Sequence, residues 1–138
     1  MPAEGLFETM NPVVHFEIPS DDRDRATSFY ASVFEWDIEE TPFEDDVYTS
    51  VITSPIDENY MHTERGAING AIIERNGPPT APIITIEVPS IDVHVDNIEE
   101  AGGSIVVPKG EVPEMGYYAY FEDTEGNVIG LWESMGGE

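Results

Sequence analysis

Histidine and glutamate alternate with apolar residues in the first strand-like run of the chain, Val14-His15-Phe16-Glu17-Ile18. Side chains two residues apart on a strand share a face, so His15 and Glu17 should lie side by side. An imidazole beside a carboxylate could bind a divalent metal ion or take a proton as a general base. The structural alternative is a half-buried histidine held by a hydrogen bond.

A second run, residues 84–88, repeats the pattern and carries Glu87 where the first run carries Glu17. Two carboxylates at matching places of two strands could converge on a divalent ion, or one of them could serve as an acid or a base. The alternative is that both are strand-end residues on an acidic surface. That alternative is strong in a chain with 29 Asp and Glu residues.

Aromatic residues fall at alternating positions of the last two strand-like runs, at Tyr118, Tyr120 and Trp132. Together they could line a pocket for an apolar ligand. They could equally be core residues, because aromatic side chains on strands usually pack. His62 lies in a polar stretch between strands, which could cover a ligand or be an ordinary surface loop.

The chain that must position these residues is built from two similar units. Glu17-Ile-Pro-Ser20 is echoed by Glu87-Val-Pro-Ser90, and each copy leads into a helical stretch, residues 24–34 and 92–101. Such an echo indicates two copies of one supersecondary unit. The Asn-Gly-Pro-Pro-Thr segment at 76–80 separates the copies.

Periodicity and turn residues predict the order strand, helix and three strands, twice, in an α+β fold. The two βαβββ modules should span about 13–75 and 82–134 of a single domain at 13–138, after a loose lead-in at 1–12. The predicted strands are 14–18, a strand starting at 36, 48–53, 68–74, 83–88, 104–107, 117–122 and 128–133.

Both predicted helices have apolar positions at helical spacing. In the first helix these positions are Ala26, Phe29, Tyr30, Val33 and Phe34. In the second, Val95 and Ile98 should point inward, and the glycines at 102–103 should end the helix.

Composition narrows the classes of function. The net charge is -24, Lys109 is the only lysine, and 40% of the residues are hydrophobic. This combination predicts a folded domain with an acidic surface, as in proteins adapted to molar salt, where screening acts within about 3 Å. Nucleic acid is a disfavoured partner, because no cluster of Lys and Arg exists.

Several other classes are excluded or disfavoured by the sequence. The chain has no cysteine, so disulfides, thiolate ligands and cysteine nucleophiles are excluded. It has no run of 18 apolar residues and no basic, apolar start, so we expect neither a membrane partner nor a secretory signal, and a cytoplasmic location. Phosphate-binding glycine motifs are absent as well.

Two runs of residues are similar to a known superfamily. The opening run is His15-Phe-Glu-Ile-Pro-Ser-Asp-Asp-Arg-Asp-Arg-Ala-Thr-Ser-Phe29-Tyr30, and the closing run is Gly116-Tyr-Tyr-Ala-Tyr-Phe-Glu-Asp-Thr-Glu-Gly-Asn-Val-Ile-Gly-Leu-Trp132-Glu133. Together they resemble the vicinal-oxygen-chelate superfamily of glyoxalases, bleomycin-resistance proteins and extradiol dioxygenases. Within it, the chain looks like the predicted enzymes related to lactoylglutathione lyase. The resemblance implies that the paired modules curl into an incomplete barrel with a metal or ligand in its concavity.

The resemblance also implies roles for single residues. His15 matches the ligand histidine of the family's first strand. Its counterpart in the second half is Ile83, or Thr85 when the Pro-Ser turns are aligned, and Gly130 stands where the family has a glutamate in the last strand. One ligand of the usual set is therefore present, which implies at most a weakly bound divalent metal at His15.

The function implied by the resemblance is that of a lyase- or isomerase-like enzyme acting on a substrate with adjacent oxygens. His15, Glu17 and Glu87 would then be the catalytic residues. The alternative is a non-catalytic protein that binds a drug or metabolite. In either case Thr85, Tyr118, Tyr120, Trp132 and His62 would bind the small molecule. Dimers are common in the superfamily, so a homodimer is an open expectation.

Overall fold

A computed structural model describes residues 10–43, 45–59, 61, 66–77 and 80–135. Strand, helix and three strands follow one another, and the same order then recurs. The elements are β1 (Val13–Ser20), α1 (Arg23–Phe34), β2 (Asp37–Phe43), β3 (Asp46–Ile52), β4 (Asn69–Glu74), β5 (Ile83–Glu87), α2 (Ile91–Glu100), β6 (Ser104–Val112), β7 (Gly116–Glu122) and β8 (Val128–Ser134).

The chain divides into two compact units, Val14–Ile84 and the combination of Met1–Val13 with Thr85–Glu138. We call β1–β4 with α1 the first module, and β5–β8 with α2 the second module. The predicted α+β class and the two βαβββ modules are confirmed. None of the described helices is long and apolar enough to cross a membrane.

The two modules have the same strand order. In the first module the order is β2-β3-β4-β1, and in the second it is β6-β7-β8-β5. The first strand of each module pairs in parallel with the last one, β1 with β4 and β5 with β8. The remaining neighbours pair in antiparallel fashion. The predicted repeat is therefore present in the strand pairing as well as in the sequence.

The Pro-Ser echo leads each strand into a capped helix. The Asp22 side chain accepts a hydrogen bond from the Arg25 N–H at 3.0 Å, and the Ser90 hydroxyl accepts one from the Val93 N–H at 3.2 Å. Such caps satisfy amides that have no partner inside the helix. One prediction was wrong in detail, because Pro19 does not end β1. Pairing with β4 continues to Ser20, since proline fits an extended backbone and lacks only the N–H.

The second module packs its helix on the sheet through a small apolar core. Val88, Ile91, Ala119 and Leu131 are buried, with exposures of 0–3%. Val95 and Ile98 of α2 pack against them, as the helical spacing predicted. Ile86, Tyr117 and Phe121 complete the cluster.

The first helix packs differently from the predicted apolar stripe. No residue of α1 is buried, and Phe29, Val33 and Phe34 are each more than half exposed. Tyr30 stacks on Trp36 with ring centroids 5.2 Å apart, and Trp36 contacts Phe16 of β1 at 5.9 Å. Aromatic contacts at one edge of α1, rather than a full apolar stripe, therefore join it to the sheet.

Strand β6 is longer than predicted. The expected strand covered only 104–107, and it is followed by Pro108 and Gly110, two residue types that weaken a strand. The pairing with β7 instead continues to Val112, with register shifts between Ile105 and Val107 and between Val107 and Gly110. Such irregularities let a strand carry a proline and a glycine without ending.

Candidate functional site

His15 and Glu17 lie side by side on the face of β1 that points away from α1. Phe16, between them, faces the helix through its contact with Trp36, so its neighbours point to the opposite side. The His15 Nε2 atom is 3.7 Å from Glu17 Oε2, and the two side chains are 27% and 13% exposed. The two side chains can therefore approach a polar ligand together.

Tyr48 of β3 adds a phenol to the same side of the first module. Tyr48 as a whole residue is 39% exposed, but desolvation of its phenol group, together with the negative charge of Glu17, raises the pKa of Tyr48 to about 12. The phenol therefore stays protonated near neutral pH and can donate a hydrogen bond. In the strand register Glu17 lies opposite Ala71, and Ala71 lies opposite Ser50. We call His15, Glu17 and Tyr48 the acidic face.

The aromatic candidates share one face of the second module. Ala119 and Leu131 belong to the core under α2, so their strand neighbours Tyr118, Tyr120 and Trp132 point to the side away from the helix. Register places Tyr118 beside Trp132, and Tyr120 beside Gly130. Thr85 and Glu87 of β5 pair with Gly130 and Trp132. We call Thr85, Glu87, Tyr118, Tyr120, Trp132 and Ser134 the aromatic face.

A chain of hydrogen bonds fixes the indole ring of the aromatic face. Trp132 Nε1 donates to Ser134 Oγ at 3.1 Å, and Ser134 Oγ donates to Glu87 Oε2 at 3.0 Å. All three side chains are half-buried. The carboxylate therefore orients the hydroxyl, and the hydroxyl orients the ring.

Glycines let two of these aromatic rings lie flat on the sheet. A Cβ atom at Gly110 would lie 2.6 Å from the Tyr118 ring, and one at Gly116 would lie 2.6 Å from the Trp132 ring. Any larger residue would lift the rings from the backbone. The Tyr118 and Tyr120 rings meet edge to face, with centroids 6.2 Å apart. The result is a preformed aromatic surface.

The donor groups of the described residues do not form a metal site with three protein ligands. Within the described residues, no three His, Asp or Glu side chains lie together so that they could hold a metal ion. At Gly130, a Cβ atom would lie 2.9 Å from Thr85 Oγ1 and 3.4 Å from the Tyr120 ring. Those two side chains thus occupy the start of the space that a carboxylate at 130 would need. A metal held weakly by His15 stays a prediction.

The predicted site residues fall into two sets. His15 and Glu17 belong to one compact unit, and Thr85, Glu87, Tyr118, Tyr120 and Trp132 belong to the other. Convergence of Glu17 and Glu87 on one ligand stays a prediction, and His62 lies outside the described residues.

Two polar residues of these faces were missed by the sequence reasoning. Ser134 is visible in the sequence only as a residue two positions after Trp132, and its contact with Glu87 spans 47 residues. Tyr48 was predicted as part of a strand, with no sign of its proximity to Glu17. Period-two spacing could have placed Ser134 on the face of Trp132.

Comparison with known proteins identifies the family. The model of the Glyoxalase/Bleomycin resistance protein/Dioxygenase superfamily matches residues 13–131, most of the chain. The chain belongs to this superfamily. The resemblance of the opening and closing runs to this superfamily is thereby confirmed.

Two mycobacteria have a protein whose sequence is similar to this chain. A protein provisionally named glyoxylase CFP32, in Mycobacterium bovis and Mycobacterium tuberculosis, is 26% identical over 127 residues, which are 86% of this chain. The chain spans only 44% of the length of these relatives.

Several solved structures have the same fold as this chain at low sequence identity. Hypothetical protein BH1468 from Bacillus halodurans has a TM-score of 0.63 at 13% identity, covering 90% of this chain and 94% of that one. A methylmalonyl-CoA epimerase in complex with methylmalonyl-CoA has a TM-score of 0.62 at 14% identity, covering 94% and 98%. The epimerase of Mycobacterium tuberculosis has a TM-score of 0.58 at 14% identity, covering 88% and 87%.

Proposed function

We propose that this superfamily member binds a small aromatic molecule on the aromatic face of its second module. The observation that carries the proposal is the hydrogen-bond chain from Trp132 through Ser134 to Glu87. A ring held by such a chain loses little further freedom when a ligand stacks on it. Less of the binding free energy is therefore lost to ordering the side chain.

The surroundings of the indole support the same function. Tyr118 and Trp132 lie over glycines, and each retains part of its surface exposed. Flat, partly exposed rings with a few polar groups beside them are typical of sites for planar ligands. Thr85 Oγ1 and the Tyr120 ring fill the start of the space that a metal-binding carboxylate at 130 would need. This favours binding over the metal-dependent isomerase chemistry that the resemblance implied.

Calorimetric titration with quinoline, a planar and uncharged probe near neutral pH, tests the proposal. We expect saturable binding that is about fivefold or more weaker in Trp132→Leu, because a stacked indole contributes on the order of 1 kcal/mol. Trp36→Leu is the control, since Trp36 packs with Phe16 and Tyr30 in the other module. Thermal melts verify that both variants fold.

The proposal fails if neither quinoline nor its cationic N-methyl derivative binds. It also fails if Trp36→Leu weakens binding as much as Trp132→Leu does, because the site would then not lie on the aromatic face.

A second candidate function is proton transfer by the acidic face. The observation that favours it is the 3.7 Å contact between His15 and Glu17, with Tyr48 held protonated beside them. The carboxylate or imidazole would remove a proton next to a carbonyl group, the electron pair of the C–H bond would move onto the carbonyl oxygen, and a proton would return to the carbon.

We place proton transfer second because of how the positive groups of the first module are paired. The described arginines there, Arg23, Arg25 and Arg75, each lie 2.7–3.9 Å from an aspartate. They are therefore partly neutralised as groups that could stabilise a developing oxyanion.

Deuterium uptake from solvent into methylmalonyl-CoA, followed by NMR in molar KCl, tests the second candidate. This probe is chosen because a structural neighbour is an epimerase bound to that compound. Uptake that is lost in Glu17→Gln and His15→Ala, but kept in the exposed control Glu40→Gln, would support proton transfer. Absence of uptake in the wild type would contradict it.

A further inference from the structure

We infer that the ligand of the aromatic face is an organic cation, a planar aromatic amine or quaternary ammonium compound rather than a neutral or anionic one. This inference rests on the proposed function, because it names the chemical class of the ligand for the same face.

The first reason is the charge of the face itself. Glu87 lies beside Trp132 in the strand register. Glu122 continues the same side of β7, two residues beyond Tyr120. Both carboxylates are half-buried, so solvent screens them less than it screens carboxylates at the exposed surface.

The second reason is that the positive groups of the second module lie elsewhere. Lys109 is the only Lys or Arg between residues 85 and 138. Its Nζ atom is 3.2 Å from Asp92 of α2 and 4.5 Å from the centroid of the Tyr117 ring, which packs in the core under the helix. His94 is also on α2, with Nδ1 3.0 Å from the Ser90 carbonyl oxygen. The Lys109 ammonium group and the His94 imidazole, both described residues of this module, therefore lie on the helix side.

The third reason is the chemistry of the rings. The faces of Tyr and Trp rings carry partial negative charge and attract a cation within about 6 Å of the centroid. A protein side chain plays this role at Tyr117, over which Lys109 lies. On the aromatic face, Tyr118 and Trp132 lie on the side of the sheet opposite to Lys109, and the carboxylate of Glu87 accompanies the indole. A positively charged ring could stack on the indole and lie near Glu87.

An anionic ligand would meet the opposite conditions. A carboxylate or phosphate on this face would lie near Glu87 with no positive group of the second module's described residues to balance it. The net charge of -24 would add long-range repulsion at low salt. Acyl-CoA compounds are therefore disfavoured as ligands of this face.

Three probes of one bicyclic shape test the inference: N-methylquinolinium, quinoline and 1-naphthoate, which are cationic, neutral and anionic near neutral pH. Binding is measured by calorimetry in molar KCl, where the general attraction between a cation and an acidic protein is screened. We expect N-methylquinolinium to bind about tenfold more tightly than quinoline, and 1-naphthoate to bind most weakly.

A matched pair of variants separates the face from the overall charge. Glu87→Gln keeps an oxygen that can accept the Ser134 hydrogen bond but removes the charge. Asp96→Asn removes one charge from the exposed side of α2. We expect Glu87→Gln to reduce the preference for the cation to about twofold to threefold, and Asp96→Asn to leave it at about tenfold.

The possible outcomes distinguish this inference from the proposed function. The inference is overturned if quinoline or 1-naphthoate binds as tightly as N-methylquinolinium, or if Asp96→Asn has the same effect as Glu87→Gln. In those cases quinoline binding that depends on Trp132 would leave the proposed function standing. If none of the three probes binds, the proposed function fails and the inference fails with it.

Discussion

The two modules share their strand order but not the chemistry of their open faces. In each, the first strand pairs in parallel with the last, and antiparallel strands follow. The first module presents His15, Glu17 and Tyr48, whereas the second presents aromatic rings fixed by Ser134 and Glu87. Backbone hydrogen bonds, the core under α2 and the aromatic contacts of α1 maintain the pairing. Side chains on the other face are free of that constraint and can differ in function.

The helices of the two modules also differ in how deeply they are buried. α2 buries Ile91 completely and packs Val95 and Ile98 on the core, whereas α1 buries no residue. The second module thus has an apolar core of its own, on which a rigid ligand face can rest. The first module depends more on its aromatic cluster.

The largest predicted effect concerns what both modules share, their acidic surface. With a net charge of -24, repulsion should oppose folding at low ionic strength. Thermal melts from about 0.1 to about 3 M KCl should therefore shift upward by many degrees, because screening removes most of the repulsion. An unchanged melting temperature would refute the prediction of a salt-adapted protein.

Because α2 is buried against a core and α1 is not, truncating an apolar side chain should destabilise the protein more in α2 than in α1. Ile91→Ala should lower the free energy of unfolding by about 2–5 kcal/mol, because it leaves a cavity in a packed core. Phe29→Ala should lower it by less than about 1 kcal/mol, because Phe29 is 54% exposed. Urea unfolding in molar KCl measures both, and equal losses would remove the difference between the two helices.

Gly130 offers a test of how tightly the aromatic face is packed. Gly130→Ala should lower the free energy of unfolding by about 1–3 kcal/mol, because its Cβ atom would lie 2.9 Å from Thr85 Oγ1. The cost should fall when Thr85→Ala is made in the same chain, since the contacting hydroxyl is then absent. A cost that is the same with and without Thr85 would mean that Thr85 does not fill this space.

Substitutions at the C-terminal ends of the two helices should change the stability by a smaller amount. α1 is followed directly by Glu35, which has a left-handed backbone with φ of 62°, whereas Gly102, with φ of 107°, lies two residues beyond the end of α2. Glu35→Gly should raise the free energy of unfolding by about 1 kcal/mol, because it relieves backbone strain and removes a negative charge from the helix C-terminus. The control, Glu100→Gly in the last turn of α2, should lower it by up to about 1 kcal/mol. Equal changes would show that the two ends do not differ.

The acidic face should give a small dependence of stability on alkaline pH. The folded-state pKa of Tyr48, about 12, lies above the ordinary value of 10.0. The folded protein therefore holds this proton more tightly, and the stability from Tyr48 is complete below about pH 10 and lost as the pH rises through about 12. Wild type should lose more stability over that interval than Tyr48→Phe. Parallel stability curves would contradict the raised pKa.

The repeat could be predicted from the sequence because local signals carry it. The Pro-Ser echo, the capping residues Asp22 and Ser90, and the turn between β7 and β8 each act within a few residues. The full length of β6 could not be predicted, because register shifts opposite β7 accommodate Pro108 and Gly110. Local residues read alone are typical of a break there.

The candidate site was predictable only in part for a similar reason. Alternation places Tyr118, Tyr120 and Trp132 on one face, and that much is visible in the sequence. The bond between Ser134 and Glu87 depends on the pairing of β5 with β8, and the approach of Tyr48 to Glu17 depends on the order β3-β4-β1. Contacts of that kind are set by strand register across the sheet, which one sequence does not reveal.

The central claim is that the ligand binds on the face of Trp132 and not in the first module. The chain has two tryptophans, Trp36 in the first module and Trp132 in the second, so the indole N–H region of a ¹⁵N-labelled protein reports on both. Titration with N-methylquinolinium in molar KCl should shift the Trp132 indole resonance along a saturable curve and leave the Trp36 resonance in place. A shift confined to Trp36, or no shift of either resonance at saturating probe, would contradict the claim.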